Sequence, residues 1–141
     1  MKYYLAYGSN LNKRQMKRRC PGAVPVGSVT IQDYELVFRG VATIEPKAGA
    51  SVQCGIWKIN AEDERSLDRY EGFPRLYEKQ HFWVPLNGKT VRALAYIMVE
   101  GKHRKQPPYT DYLMTIMEGY DDFSFDEKPL VIAATQEGGN S

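Results

Sequence analysis

Residues 3–11 read YYLAYGSNL, an apolar run that gives way to the small polar segment Gly8-Ser9-Asn10. The run predicts a short buried strand over residues 3–7, and a short basic helix follows over residues 11–19. Where a strand turns into a helix, backbone N–H groups point outward and can receive a carboxylate, a phosphate or a developing oxyanion. An ordinary turn that caps the helix with a Ser or Asn side chain explains the same residues. The pattern alone leaves both interpretations open.

The rest of the chain alternates between strand and helix signals. Strands are predicted over residues 29–38, 41–44, 52–59, 77–84 and 91–99, a loop over 46–50, and helices over 61–71 and 110–118, the last ended by Gly119. The dipeptide Asn87-Gly88 fits a type I′ turn and predicts a hairpin between the last two strands. About six strands and three short helices indicate an α+β fold, with a mixed, mostly antiparallel sheet that is twisted or barrel-like. We expect a single domain over residues 1–135 and a flexible tail over 136–141.

Composition and charge narrow the class of protein. The chain has 141 residues, of which 43% are hydrophobic and 26% charged, and its formal charge is +2. These values are typical of one soluble globular domain. The first residues lack the apolar core of a signal peptide, and no run approaches the roughly 18 apolar residues of a membrane span. We therefore expect a cytoplasmic protein with no membrane partner and with reduced cysteines.

Several kinds of chemistry receive little support. The only histidines, His81 and His103, have no partner at ligand spacing, so no metal site is predicted. Neither cysteine belongs to a recognisable nucleophile motif. The basic residues within 13–19 can bind phosphates, and a nucleic-acid-binding protein is one hypothesis, but a solvated helix face is the more ordinary interpretation. No nucleic-acid partner is expected.

Glu71 is the candidate acid/base. Leu67, Tyr70 and Glu71 share one face of the predicted helix because they stand at i, i+3 and i+4. A carboxylate carried into a half-buried pocket loses hydration, so its pKa rises towards neutrality. Alternatively, Glu71 turns back to solvent or pairs with Arg75. Periodicity does not separate these possibilities.

Four segments in a fixed order carry a family resemblance. They are Ala6-Tyr7-Gly8-Ser9-Asn10-Leu11, Gly40-Val41-Ala42-Thr43-Ile44, Gly55-Ile56-Trp57 and Leu67-Asp68-Arg69-Tyr70-Glu71-Gly72. With these segments, the chain resembles the γ-glutamylcyclotransferase-like family over roughly residues 3–120. The first segment is the most specific, and the β-rich segments only support it.

The resemblance implies a mixed β-barrel with flanking helices and an enzyme that releases 5-oxoproline from γ-glutamyl compounds without a metal or organic cofactor. It also implies that Glu71 is the catalytic residue. The substrate-binding residues that it implies are Tyr4, Leu5, Ala6, Tyr7, Gly8, Ser9, Asn10, Tyr96 and Tyr112.

Several functional questions stay open on sequence grounds. The leaving group can be a free amino acid, the cysteinylglycine of glutathione, a γ-glutamyl-lysine isopeptide or a γ-glutamylated metabolite. The alternative function is a binding module that holds γ-glutamyl-like small molecules without turning them over. A homodimer is also possible.

Overall fold

The computed structural model describes residues 1–136 of the chain. Five strands and four α-helices make up this part. The strands are β1 (Lys2–Ala6), β2 (Val24–Arg39), β3 (Val41–Ile59), β4 (Tyr77–Leu86) and β5 (Lys89–Met98). The helices are α1 (Lys13–Arg19), α2 (Ala61–Glu71), α3 (Thr110–Asp122) and α4 (Lys128–Ala134), and a short 3₁₀ helix (Ser9–Leu11) precedes α1. Apart from Gln136, the predicted tail lies outside the described residues.

One five-stranded sheet runs through the fold in the order β2-β3-β1-β5-β4. Its neighbours are antiparallel except for β1 and β5, which are parallel. The predicted α+β class and the mixed, mostly antiparallel twisted sheet are therefore confirmed. The edge strands β2 and β4 approach each other through side chains, since the rings of Tyr34 and Phe82 lie 5.4 Å apart and Gln80 Nε2 donates to Tyr34 Oη at 2.8 Å. No backbone ladder joins these edges within residues 1–136, so the sheet curls like a barrel without closing.

The hairpin of β2 and β3 corrects one sequence prediction. The loop expected over residues 46–50 does not separate two strands, because β3 continues through it from Val41 to Ile59. The register passes from Gln32–Ser51 directly to Tyr34–Pro46, which leaves residues 47–50 opposite Asp33 alone. Gly49, with φ +83°, donates its N–H to Asp33 Oδ1 at 3.0 Å. Residues 47–50 therefore form a bulge that bends the hairpin rather than a break in the strand.

The other predicted hairpin is confirmed. Leu86 and Lys89 face each other across Asn87-Gly88, whose φ values of +50° and +78° are those of a type I′ turn.

The helices follow local signals where their packing allows. α2 has the predicted bounds: Asn60 and Asp63 form a capping box at its start, and Gly72 ends it with φ +67°. α3 passes the predicted stop and reaches Asp122. Gly119 lies inside α3 because the helix packs closely on the first turn of the chain, where an added Cβ would lie 2.7 Å from Asn12 N. α4 was not predicted from the sequence, and its start has no side-chain cap.

The core lies between the curled sheet and the helices. Its fully buried side chains come from every layer and include Leu5, Ile56, Leu94, Ile116 and Leu130. Within residues 1–136, no helix is both long and apolar enough to cross a membrane.

Candidate active site

A narrow cleft opens where the end of β1 meets α2 and α3. Residues from six separate segments line it: Tyr4, Tyr7, Gly8, Ser9, Asn10, Ala42, Glu71, Tyr77 and Tyr112. Of these, only Glu71 has a carboxyl group. The cleft therefore combines one acid, four phenols and the backbone of a tight turn.

The turn after β1 lines the cleft with Gly8 and the first residues of a 3₁₀ helix. Its first internal bonds run from Leu11 N to Gly8 O and from Asn12 N to Ser9 O, each at 3.0 Å. The N–H groups of Ser9 and Asn10 precede these bonds, as do the first donors of any helical turn. A Cβ at Gly8 would lie 3.3 Å from Ala42 Cβ, which is a tight contact, so glycine leaves more room for a ligand beside the backbone of the turn. Asn12, rather than Ser9 or Asn10, caps α1 by accepting from Gln15 N.

Glu71 is the last residue of α2, directly before the left-handed Gly72. Burial raises the pKa of its carboxyl group to about 7, and the nearby Arg19 cation opposes this rise. The alternative pairing with Arg75 is absent among the described residues. A carboxyl group with this pKa can both take up and release a proton near neutral pH.

Tyrosine hydroxyls hold the walls of the cleft together. Tyr77 Oη donates to Ala42 O at 2.5 Å, while Ala42 N donates to Tyr112 Oη at 3.0 Å. Asn10 Nδ2 donates to Tyr4 Oη at 2.9 Å. Burial raises the pKa of each of these phenols above its ordinary value, so they remain neutral near pH 7. They are therefore hydrogen-bonding groups rather than bases.

The part of the chain that contains this cleft matches a known protein family. The model of the family described as "Gamma-glutamyl cyclotransferase, AIG2-like" matches residues 4–114. The chain belongs to this family.

Individual members of the family support the assignment. The bovine γ-glutamylcyclotransferase is 30% identical over 135 residues, covering 82% of this chain and 68% of that protein. The human γ-glutamylcyclotransferase is 29% identical with the same coverage. A solved structure of a γ-glutamyl cyclotransferase superposes with a TM-score of 0.82 at 25% identity, covering 99% of this chain and 90% of the other. The chain thus shares both sequence and architecture with γ-glutamyl cyclotransferases.

The residues predicted for a γ-glutamyl cyclotransferase site separate into two groups. Tyr4, Tyr7, Gly8, Ser9, Asn10, Glu71 and Tyr112 line the cleft. Leu5 and Ala6 do not; each is only 1% exposed and packs in the core.

Tyr96 also lies outside the lining, but it contacts two residues that line the cleft, Tyr4 and Tyr7. Its carbonyl oxygen accepts from Tyr7 Oη at 2.5 Å, and its own hydroxyl donates to Asp68 Oδ1 at 2.5 Å. Its ring meets the Tyr4 ring edge-on at 5.8 Å.

Two lining residues, Ala42 and Tyr77, were not predicted from the sequence. Ala42 lies within the segment Gly40-Val41-Ala42-Thr43-Ile44, which contributed to the family resemblance without being assigned to the site. Tyr77 begins β4 and carries no motif that would mark it. Only the fold brings both residues to Glu71.

Two other sequence hypotheses can be placed in the structure. In the basic helix, Arg14 pairs with Glu118 at 2.9 Å. Among the described residues, no group of three or more His, Cys, Asp or Glu side chains could hold a metal ion.

Proposed function

We propose that this chain is a γ-glutamylcyclotransferase, which releases 5-oxoproline from a small γ-glutamyl compound with Glu71 as its general acid/base. One observation carries the proposal: a lone carboxyl group, with its pKa raised to about 7, lines a cleft formed by residues within the region that matches the family. The names of the bovine and human relatives support the same reaction.

The substrate brings its own nucleophile. In a γ-glutamyl amide, the α-amino nitrogen can reach the γ-carbonyl carbon of the same molecule, and closure of the five-membered ring needs little further orientation. The enzyme has to move protons and stabilise charge.

Glu71 would move the proton in two steps. As a carboxylate it accepts a proton from the substrate's α-ammonium group, and the freed amine attacks the γ-carbonyl carbon to give a tetrahedral oxyanion. Protonated Glu71 then donates to the departing nitrogen, and the bond between the γ-carbon and that nitrogen breaks. The ring nitrogen gives up its second proton through the Glu71 carboxylate to the departing amine, so that 5-oxoproline and an ammonium ion leave. The same carboxylate is regenerated.

The turn after β1 suits the oxyanion. The N–H groups of Ser9 and Asn10 start a short helix, and Gly8 keeps their approach open. Tyr4 and Tyr112 are neutral donors and acceptors on either side and would orient the α-amino and α-carboxylate groups.

The candidate substrates share the γ-glutamyl group and differ in the amine that leaves. We would incubate the protein with γ-glutamyl amino acids, glutathione and γ-glutamyl-ε-lysine, and quantify 5-oxoproline by mass spectrometry. The matched variants are Glu71→Gln, which keeps the size but removes the proton carrier, and Glu62→Gln on the exposed start of the same helix.

We expect at least one compound to yield 5-oxoproline, with a loss of about a hundredfold or more in Glu71→Gln and none in Glu62→Gln. If the wild type binds γ-glutamyl compounds but turns over none of them, the chain is a binding module instead. Equal release by wild type and Glu71→Gln would contradict the role of Glu71.

The cytoplasmic location and the homodimer remain part of this proposal. A small γ-glutamyl molecule is the expected partner. A homodimer would double the mass of 16.1 kDa in light scattering, whereas a monomer would show that mass itself.

A further inference from the structure

Arg19, the last residue of α1, makes contacts that the reaction scheme above does not use. Its guanidinium stacks on the ring of Tyr70, with Cζ 3.4 Å from the ring centroid. Nη1 donates to Asn10 Oδ1, and Nη2 donates to Gln15 Oε1 at 3.2 Å. Within residues 1–136, Arg19 has no salt bridge to a carboxylate. A half-buried guanidinium held this way is fixed by planar contacts rather than by an ion pair.

These contacts connect the two elements that form the cleft. On one side, Tyr70 immediately precedes Glu71 in α2, and its hydroxyl lies 2.8 Å from Ser9 Oγ. On the other side, Asn10 also binds a residue of β1, because its Nδ2 donates to Tyr4 Oη at 2.9 Å. Arg19 therefore touches the residue before the proposed acid/base and a residue of the proposed oxyanion turn at the same time.

We propose that Arg19 is a positioning residue of the cyclotransferase reaction, which holds the Glu71 end of α2 against the turn after β1 and presents a cation to the Glu71 carboxylate. The inference rests on the proposed function for its catalytic consequence. The contacts themselves are independent of turnover.

The groups around Glu71 make Arg19 the source of charge. Five groups interact electrostatically with the Glu71 carboxyl group: Arg19 from α1, Tyr4 from β1, Tyr7 from the turn, Tyr77 from β4 and Tyr112 from α3. The pKa of each of these tyrosines is raised, so near neutral pH they are uncharged and the Arg19 guanidinium is the charged group of this set. Its removal should make Glu71 harder to ionise.

The test separates the charge of Arg19 from its shape. Arg19→Gln removes the charge, Arg19→Lys keeps the charge but loses the planar stacking and forked hydrogen bonds, and Arg18→Gln on the exposed side of α1 is the matched control. Two quantities are measured for each variant: the titration of Glu71 by carboxyl-carbon NMR, assigned by its loss in Glu71→Gln, and the pH profile of 5-oxoproline release.

We expect Arg19→Gln to move the Glu71 titration and the acidic limb of the pH profile to higher pH, and Arg19→Lys to leave both near the wild-type position. Both variants should lose roughly ten- to a hundredfold in turnover, as for loss of a charge-assisted hydrogen bond in an ordered site. Arg18→Gln should change neither quantity.

The outcomes distinguish this inference from the proposed function. A folded Arg19→Gln protein with unchanged Glu71 titration and turnover would overturn the inference, and so would Arg19→Lys with wild-type turnover. If Arg19→Gln does not fold, the Arg19→Lys result decides. If the wild type turns over no γ-glutamyl compound, the proposed function fails, while titration of the resting protein still decides whether Arg19 acts on Glu71.

Discussion

The raised pKa of Glu71 has a consequence for stability that can be measured without any substrate. A carboxyl group with a pKa of about 7 in the folded chain and an ordinary value of 4.5 when unfolded binds its proton more tightly in the folded state. Proton binding by Glu71 therefore stabilises the folded chain, and this contribution to the free energy of unfolding is complete below pH 4.5. It is lost as the pH rises through about 7. The full difference corresponds to about 3 kcal/mol in the free energy of unfolding.

Glu71→Gln should recover most of that free energy. The substituted amide has no charge to desolvate, so we expect the variant to be more stable than the wild type by about 3 kcal/mol at pH 8 and by less than about 1 kcal/mol at pH 5. Urea denaturation at both pH values measures the difference. Trp57, which is 3% exposed and packs in the core, gives a fluorescence signal for unfolding.

The comparison between the two pH values is what tests the reasoning. Other ionisable groups contribute equally to both proteins and cancel in the difference. A Glu71→Gln variant with the same change in stability at pH 5 and pH 8 would show that Glu71 is not held in a desolvated site, and its assignment as a tuned acid/base would fail.

Three further measurements test the chemistry of Glu71, the packing of α3 and the hydrogen bonds of the cleft. Because the carboxylate form of Glu71 must accept the first proton, kcat/KM for 5-oxoproline release should fall about tenfold per pH unit below about pH 7, and a flat profile down to pH 5 would contradict this. Gly119→Ala should destabilise the fold by about 1–3 kcal/mol in urea denaturation, because its Cβ would meet backbone at 2.7 Å, although alanine favours helices; a stabilised variant would refute the close packing. Tyr77→Phe should lower the free energy of unfolding in urea by about 1 kcal/mol, because the hydrogen bond to Ala42 O is lost. Tyr109→Phe, at a side chain that is 85% exposed, should leave the free energy of unfolding unchanged, and equal values for the two variants would contradict the role of this bond.

The sequence predicted the elements whose signals are local. The capping residue Asn60 and the stop at Gly72 bound α2 at both ends, and Asn87-Gly88 specified its hairpin, because in each case the decisive backbone geometry belongs to the residues themselves. The α+β class follows from those elements.

The misplaced elements depend on distant contacts. Glycine often ends a helix, so Gly119 was predicted as a stop. In the structure it lies in mid-helix, because α3 packs so closely on Leu11 and Asn12 that this position has no room for a Cβ. Similarly, residues 47–50 have the composition of a loop, yet their neighbours on both sides pair with β2 and carry the strand through. Such pairing is not visible along the chain.

The candidate site was predicted only in part for the same reason. The turn after β1 and Glu71 belong to short motifs with a recognisable order, so sequence comparison brings them together. Tyr77 reaches the cleft through the curl of the sheet. Arg19 contacts Asn10 of the cleft lining and stacks on Tyr70 of α2, and neither relation has a local signature. Periodicity placed Glu71 on an apolar face but could not give the desolvation that raises its pKa.

Intramolecular attack is the central claim, and the fate of oxygen from water tests it most directly. The protein would be given its best γ-glutamyl substrate in water enriched in heavy oxygen, and the products analysed by mass spectrometry. Cyclisation by the substrate's own amine predicts unlabelled 5-oxoproline and free amine in equal amounts. Labelled glutamate as the product would show that water is the nucleophile, and would contradict the account.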